Sequence, residues 1–380
     1  MAQRLKTDWV LFITVVAMAA FGLLMLYSAS SIMAELKYDS SWHFVGRQFA
    51  WAVLGTAAMM AAKKTNYRKY RNPTVAFVAI GIALVLLIVV YYVDAKHHRY
   101  LRLGGPFGVQ PSELAKPALV VFLAFFVTWR ARAINTRPTL VPAALSVGLV
   151  VFWVVRADLG TAVVLGVTSA VVFFVAGLEW RYCAIVAGIA VAGVIMFVWA
   201  EPYRFARVVQ FFDPELRIVS KLGLKERVQA HMQKSLTSRD TNYHVNMSKI
   251  AVGAGGPLGL GLMQGKQKLL YLPEAHTDFI YAVVCEEMGL AGSVGLLSGF
   301  LIIFWRGLRA TVHMRDDFGR YLALGVCTML VVQGFMNMSV VLGMMPTKGI
   351  PLPMISSGGS SLLSTLLSLG ILMNVSEHAG

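Results

Sequence analysis

Charge is scarce in this chain. Asp, Glu, Lys and Arg make up 14% of its 380 residues, where a soluble domain carries about 25%. With 57% hydrophobic residues, that shortage excludes a large soluble core and points to an integral membrane protein. Cysteine is scarce too. Cys183, Cys285 and Cys327 all lie inside apolar runs, and their spacing suits neither a disulfide framework nor a metal site. The sequence has no internal repeat and no low-complexity tract. It also lacks a nucleotide loop. Before Gly265-Lys266-Gln267, Leu260 stands where a P-loop needs its first glycine. Gln267 stands where it needs a hydroxyl, and no G-x-G-x-x-G fits either. Acidic residues are outnumbered, leaving a formal net charge of +15. Nucleic-acid binding is one reading of that excess. Membrane topology is the better one, because the basic residues lie between apolar runs. No nucleic-acid partner and no organic cofactor are expected.

What is present is long apolar sequence. A span needs roughly 20 such residues. Ten stretches qualify, at about 9–31, 44–62, 73–93, 112–129, 139–155, 159–178, 182–200, 277–304, 319–343 and 355–375. Runs this long without alternation are helices, since lipid leaves no other open way to satisfy the backbone. Arg4 and Lys6 before the first run imitate a secretory signal. At about 19 residues, though, that run exceeds a signal's h-region, and it reads as a retained first span. Only Arg156-Ala-Asp158 separates the fifth run from the sixth, so the two form a tight helical hairpin.

Basic residues such as Lys63, Lys64, Arg68, Lys69, Arg71, Arg130, Arg132, Arg306 and Arg309 collect on one side when the N-terminus is cytoplasmic. An even number of spans returns the C-terminus to the same side. The expected fold is therefore an all-α integral membrane protein of ten transmembrane helices with both termini cytoplasmic. It forms one polytopic domain over 1–380, with a large extracytoplasmic loop, about 201–276, between helices 7 and 8. The charged piece near 215–236 in that loop looks helical. A long connection of this kind is often functional.

Several polar residues sit where hydrocarbon makes them costly, and they become functional candidates on that ground. Asp278 opens the eighth run. It reads either as a partly desolvated general base or, with Thr277, as a helix cap. His276 beside it either tunes it or binds substrate. Glu286 and Glu287 lie deeper in the same run, where they must be protonated, paired or wet; pairing with a basic residue on a neighbouring helix is the structural reading. Gly289, Gly292 and Gly295 follow, for close packing or a kink. In Gln110-Pro-Ser-Glu113-Leu-Ala-Lys116, Ser112 reads as an N-cap. Glu113 and Lys116, one turn apart, share a face, either as a self-neutralising pair or as the polar wall of a cavity. The glycines from Gly253 to Gly265, next to Lys266 and Lys268, form either a plain flexible loop or a cradle where amides and cations approach a pyrophosphate. The irregular stretch from Pro346 to Ser361 is tolerated at membrane depth only if buried in protein or lining a cavity. It places a site between helices.

Together these stretches resemble the SEDS family (shape, elongation, division and sporulation) over nearly the whole chain. The resemblance rests on Leu101-Arg102-Leu-Gly with Gln110 to Lys116, Asp158-Leu-Gly-Thr-Ala, Tyr203-Arg204 through Arg207 to Asp213-Pro214, and Gly259-Leu-Gly. It continues through Gln267-Lys268, Tyr271-Leu-Pro-Glu-Ala-His-Thr-Asp-Phe-Ile280, Glu286-Glu287, Gly349-Ile-Pro-Leu-Pro353 and Ser356 to Ser361. The wording around Asp278 is closer to the division branch than to the elongation branch. The resemblance implies a peptidoglycan glycosyltransferase of the bacterial cytoplasmic membrane. Such proteins polymerise lipid II on the outer face, beside a class B penicillin-binding protein and other divisome or elongasome membrane proteins.

It further implies that Asp278 is the essential catalytic aspartate, activating an acceptor 4-hydroxyl. Arg204, Arg207, Lys266 and Lys268 would then meet the pyrophosphate. Glu113, Lys116, His276 and Ser360 would contact substrate, and Arg102, Gln110, Asp158, Glu286 and Glu287 would shape the cavity. A divalent cation, Mg²⁺ or Mn²⁺, would neutralise the leaving group; no residue is assigned as its ligand. The chain departs from the family pattern at Ser357, Met354 and Ala157, and in extra residues near 215–240, to which no role is carried over. A lipid II flippase, served equally well by buried charges, and a non-catalytic scaffold are the competing readings.

Overall fold

The computed structural model describes residues 7–94, 99–102, 108–200, 205, 208–209, 211–212, 238–269, 272, 274–346 and 349–379. Each of the ten apolar runs is a helix. They are α1 (Trp9–Tyr38), α2 (His43–Lys64), α3 (Pro73–Val93), α4 (Pro111–Trp129), α5 (Arg137–Ala157), α6 (Leu159–Val175), α7 (Trp180–Ala200), α9 (Ile280–His313), α10 (Asp317–Val341) and α11 (Gly359–His378). Short side chains start several of them. Asp8 caps α1 by accepting from Leu11 N–H at 3.1 Å, Asn72 caps α3 with Pro73 in the first turn, and Asp316 caps α10. The α5–α6 hairpin turns at Asp158 alone, whose carboxylate caps α6.

Eight of these helices are long and apolar enough to cross a membrane. Of the other two, α6 is apolar but has only 17 residues, and α2 is less apolar, carrying Arg47, Lys63 and Lys64. The chain is thus an all-α, multi-pass membrane protein. Burial follows position in the bundle. Helices α4, α10 and α11 are covered along most of their length, whereas α7 has no buried residue. Large apolar side chains such as Ile13, Leu145, Ile189 and Trp305 are exposed on outer faces, the surface that lipid would solvate.

Two features go beyond the sequence analysis, and a third decides between alternatives it leaves open. A two-residue antiparallel pair, β1 (Leu101–Arg102) with β2 (Gly108–Val109), precedes α4. A polar helix, α8 (Ser238–Gly255), packs on α9 and α10, so the start of the glycine-rich run is helical rather than a flexible loop. Finally, α9 is broken at Gly289, whose φ of 61° and ψ of −154° interrupt the helix. Of the two roles open to this glycine, packing or a kink, it takes the kink. Ser112 is not the cap of α4. Gln110 holds that position, and Ser112 is the second residue of the first turn.

Candidate functional site

Asp278 lies in the turns just before α9, half-buried. Phe279 occupies the N-cap position of α9, with no side-chain cap, so neither Asp278 nor Thr277 does that work. The carboxylate of Asp278 rests against Gly349 of the irregular stretch before α11. Its position is set through the backbone. Asn337 Nδ2 of α10 donates to Asp278 O at 2.8 Å and to Ile350 O at 2.7 Å, tying the two segments together. Ser356 Oγ donates to Thr277 O at 2.6 Å, and Ser357 N–H donates to His276 O at 3.0 Å. Gln48 of α2 holds the same stretch from the other side, donating to Ser356 O at 3.2 Å and accepting from Gly358 N–H at 3.1 Å.

Arg99 faces this turn. Its Nη2 donates to Gly349 O at 3.4 Å and lies 4.0 Å from Asp158 Oδ2. Its Nε is buried with no partner. Desolvation pulls the guanidinium pKa down, and Tyr100, Asp158, Asp278 and Glu113 together push it back above its ordinary value. Arg99 is therefore the cation of this turn, in contact with Asp158 and Gly349 and within the field of Asp278 and Glu113. Sequence analysis assigns it no role. Asp158 has a second task, accepting from Gly160 N–H at 2.9 Å and Thr161 Oγ1 at 2.6 Å to start α6.

Deeper in the bundle, Lys116 Nζ is 2.6 Å from Glu113 Oε2 and donates to Gln333 Oε1 at 2.7 Å. Gln333 in turn donates to Pro351 O at 2.8 Å. Both members of the pair are fully buried, so the shared face expected from their spacing is a closed polar interior. Ser360 is likewise buried and accepts from Gln110 N–H at 3.2 Å. Gln110 Nε2 donates to Ser112 Oγ at 2.9 Å. These contacts fix the start of α4 to α11.

A second buried ion pair corrects one expectation. Lys268, placed with the pyrophosphate ligands, is 2.6 Å from Glu287 Oε1 and buried with it. Its ammonium is engaged inside the protein. The partner of Glu287 thus comes from the loop and not from a neighbouring helix. Among the described residues Glu286 pairs with no cation; its carboxylate accepts from Lys266 N–H at 2.7 Å and Gln267 N–H at 3.1 Å. The amides expected to cradle a pyrophosphate hold an internal carboxylate instead. The side chain of Lys266 remains exposed. Arg204 and Arg207 lie outside the described residues, as does the side chain of Arg102.

His276 is buried against Phe44 of α2, with ring centroids 4.8 Å apart and Nδ1 unpartnered. Desolvation lowers its pKa below the ordinary 6.5, Lys37 adds to that, and Glu274 opposes it. A depressed imidazole binds fewer protons when folded. Its stabilising share is therefore complete above the unfolded value and is lost as pH falls through the folded one. Thermal unfolding in detergent is expected at lower temperature as pH drops from 7 toward 5. In His276→Phe, which keeps a ring on Phe44, that acid-side decline should be shallower. Equal slopes in the two proteins would refute it.

Fold and site define a multi-pass helical membrane protein whose interior is organised by buried ion pairs beside the half-buried Asp278 turn. The model of the FtsW, RodA and SpoVE family, described as "Cell cycle protein", matches residues 8–380, and the chain belongs to that family. The probable peptidoglycan glycosyltransferase FtsW of Geobacter metallireducens is 36% identical, covering 98% of this chain and 95% of its own length. Stage V sporulation protein E of Bacillus subtilis is 33% identical over 99% of each. A chain from a solved peptidoglycan synthase complex that coordinates polymerization and crosslinking superposes with a TM-score of 0.76 at 27% identity, covering 99% of both chains.

Proposed function

We propose that this chain is a peptidoglycan glycosyltransferase that polymerises lipid II at the outer face of the bacterial cytoplasmic membrane during septal wall synthesis. In this reading it is one ten-span domain over 1–380 with both termini cytoplasmic and the 201–276 connection outside. The observation that carries the reading is the half-buried Asp278 turn. It is clamped between α10 and the stretch before α11 and faces Arg99, in a chain that matches a glycosyltransferase along its whole length.

The chemistry follows from the groups present. The carboxylate of Asp278 takes the proton of an acceptor 4-hydroxyl as that oxygen attacks the donor's anomeric carbon. The bond from that carbon to the lipid pyrophosphate breaks, and the pyrophosphate leaves with the electron pair. Arg99 and Lys266 supply positive charge for it; Arg204 and Arg207 are assigned to the same anion from the family motif. Among the described residues no three His, Cys, Asp or Glu side chains gather as a metal site. A Mg²⁺ or Mn²⁺ ion held by one carboxylate and substrate phosphates fits that donor set, with Asp278 as the protein ligand. When bound it would offset charge on the leaving pyrophosphate. The partner in this scheme is a class B penicillin-binding protein, with other divisome or elongasome proteins nearby.

The test uses purified protein, fluorescent lipid II and Mg²⁺ or Mn²⁺, with and without a cognate class B penicillin-binding protein. Glycan ladders are the expected product. Their absence under every condition, from folded protein, would overturn the polymerase reading in favour of transport or scaffolding.

A further inference from the structure

The break in α9 is closed by another part of the chain. A helix interruption leaves amides and carbonyls without partners, and at membrane depth each must be satisfied. Here the segment 256–268 satisfies them. Leu260 N–H donates to Glu286 O at 3.0 Å and Gly261 N–H to Glu287 O at 2.9 Å. In return, Leu290 N–H donates to Gly256 O at 2.9 Å and Ala291 N–H to Pro257 O at 3.3 Å. Gly259, with φ of 82°, lies so close to the carbonyl of Glu287 that a Cβ would collide with it.

The two carboxylates then fasten the rest of the segment. Glu286 takes the amides of Lys266 and Gln267, and Glu287 takes Met263 N–H at 3.1 Å. Lys268 completes the wrap. Its ammonium donates to Glu287 Oε1 at 2.6 Å and to Ser28 Oγ of α1 at 2.9 Å, while Ser28 donates to Glu287 at 2.6 Å. Gln267 O accepts from Leu272 N–H at 2.8 Å, carrying the constraint toward Asp278. Lys268 is thus fastened to Glu287 of α9, the helix that starts just after Asp278.

We propose that Ser28, Lys268, Glu286 and Glu287 are positioning residues, a latch that fixes the Asp278 turn on the broken end of α9 and ties it to α1. This rests on the reading of Asp278 as the general base. It assigns Lys268 to geometry and not to the pyrophosphate. A latch acts on the placement of the base, and small misplacement of a reacting group is enough to cost about 10²-fold in rate.

The test compares wild type, Ser28→Ala and the charge-neutral Lys268→Met/Glu287→Met in detergent or liposomes, by lipid II polymerisation and by hydrogen exchange of the 272–279 amides. The double variant removes both charges together, which avoids leaving one buried and unpaired. Expected are a kcat lower by about 10- to 100-fold in the double variant and several-fold in Ser28→Ala, with KM for lipid II within about twofold. Amide exchange in 272–279 should rise in both. A raised KM with unchanged kcat would make Lys268 a substrate ligand and overturn the latch. Unchanged exchange and unchanged kcat in folded double variant would overturn it as well. If wild type makes no glycan yet exchange rises in the variants, the latch stands and the polymerase reading falls.

Discussion

Asp278→Asn is expected to fold like the wild type and to lose polymerisation by about 10²- to 10⁴-fold, the usual contribution of a positioned general base. The first half of that expectation comes from what holds the turn. Asn337 binds Asp278 through its carbonyl, Ser356 binds Thr277 through its carbonyl, and Ser357 binds the carbonyl of His276. A side-chain amide in place of the carboxylate leaves all three in place. The second half comes from chemistry. An amide of the same shape cannot accept the hydroxyl proton, and it would be a poorer ligand for a divalent cation. Asp278→Glu adds a methylene toward Gly349, already in contact with the carboxylate, so it should recover little. Initial rates of glycan formation, with thermal unfolding of each variant as a control, check both halves. An Asn variant that keeps more than a tenth of wild-type rate would remove Asp278 from the role of base.

The helices were legible because each rests on a local property. An apolar run long enough to span lipid has one backbone solution, and the ten runs became ten helices. The hinge at Gly289 was also readable, as a glycine inside such a run. Helix α8 was missed because its composition is polar. Its burial of Ser248 and Ala251 against α9 and α10 depends on where the chain folds back. The same limit governs the site. Glu113 and Lys116, three residues apart, pair as their spacing implies. Lys268 and Glu287 pair across a chain reversal that no spacing rule reveals, and without that reversal a lysine beside glycines reads as a pyrophosphate ligand. Arg99 draws its importance from Asp158, Asp278 and Glu113, acids far apart in sequence that come near one another only because α10 packs on α4, α6 and α9.

Lys116→Met is expected to be the most damaging single substitution to stability. It leaves Glu113, with no exposed surface, as an uncompensated charge, a loss of about 3–5 kcal/mol. Replacing both partners, as in Glu113→Leu/Lys116→Met, should restore most of the stability, because a well-packed apolar pair often matches or exceeds a buried ion pair. Polymerisation should not return with it. Lys116 holds Gln333, and Gln333 holds the carbonyl of Pro351, two residues from the glycine on which Asp278 rests. Glu113 also adds to the negative field around the Arg99 guanidinium. Thermal unfolding and polymerisation of the single and double variants separate the two roles. A double variant that is both stable and fully active would reduce the pair to a device for inserting the helix. A stable double variant that makes no glycan would place the pair in the machinery that supports Asp278, even though neither side chain reaches the surface.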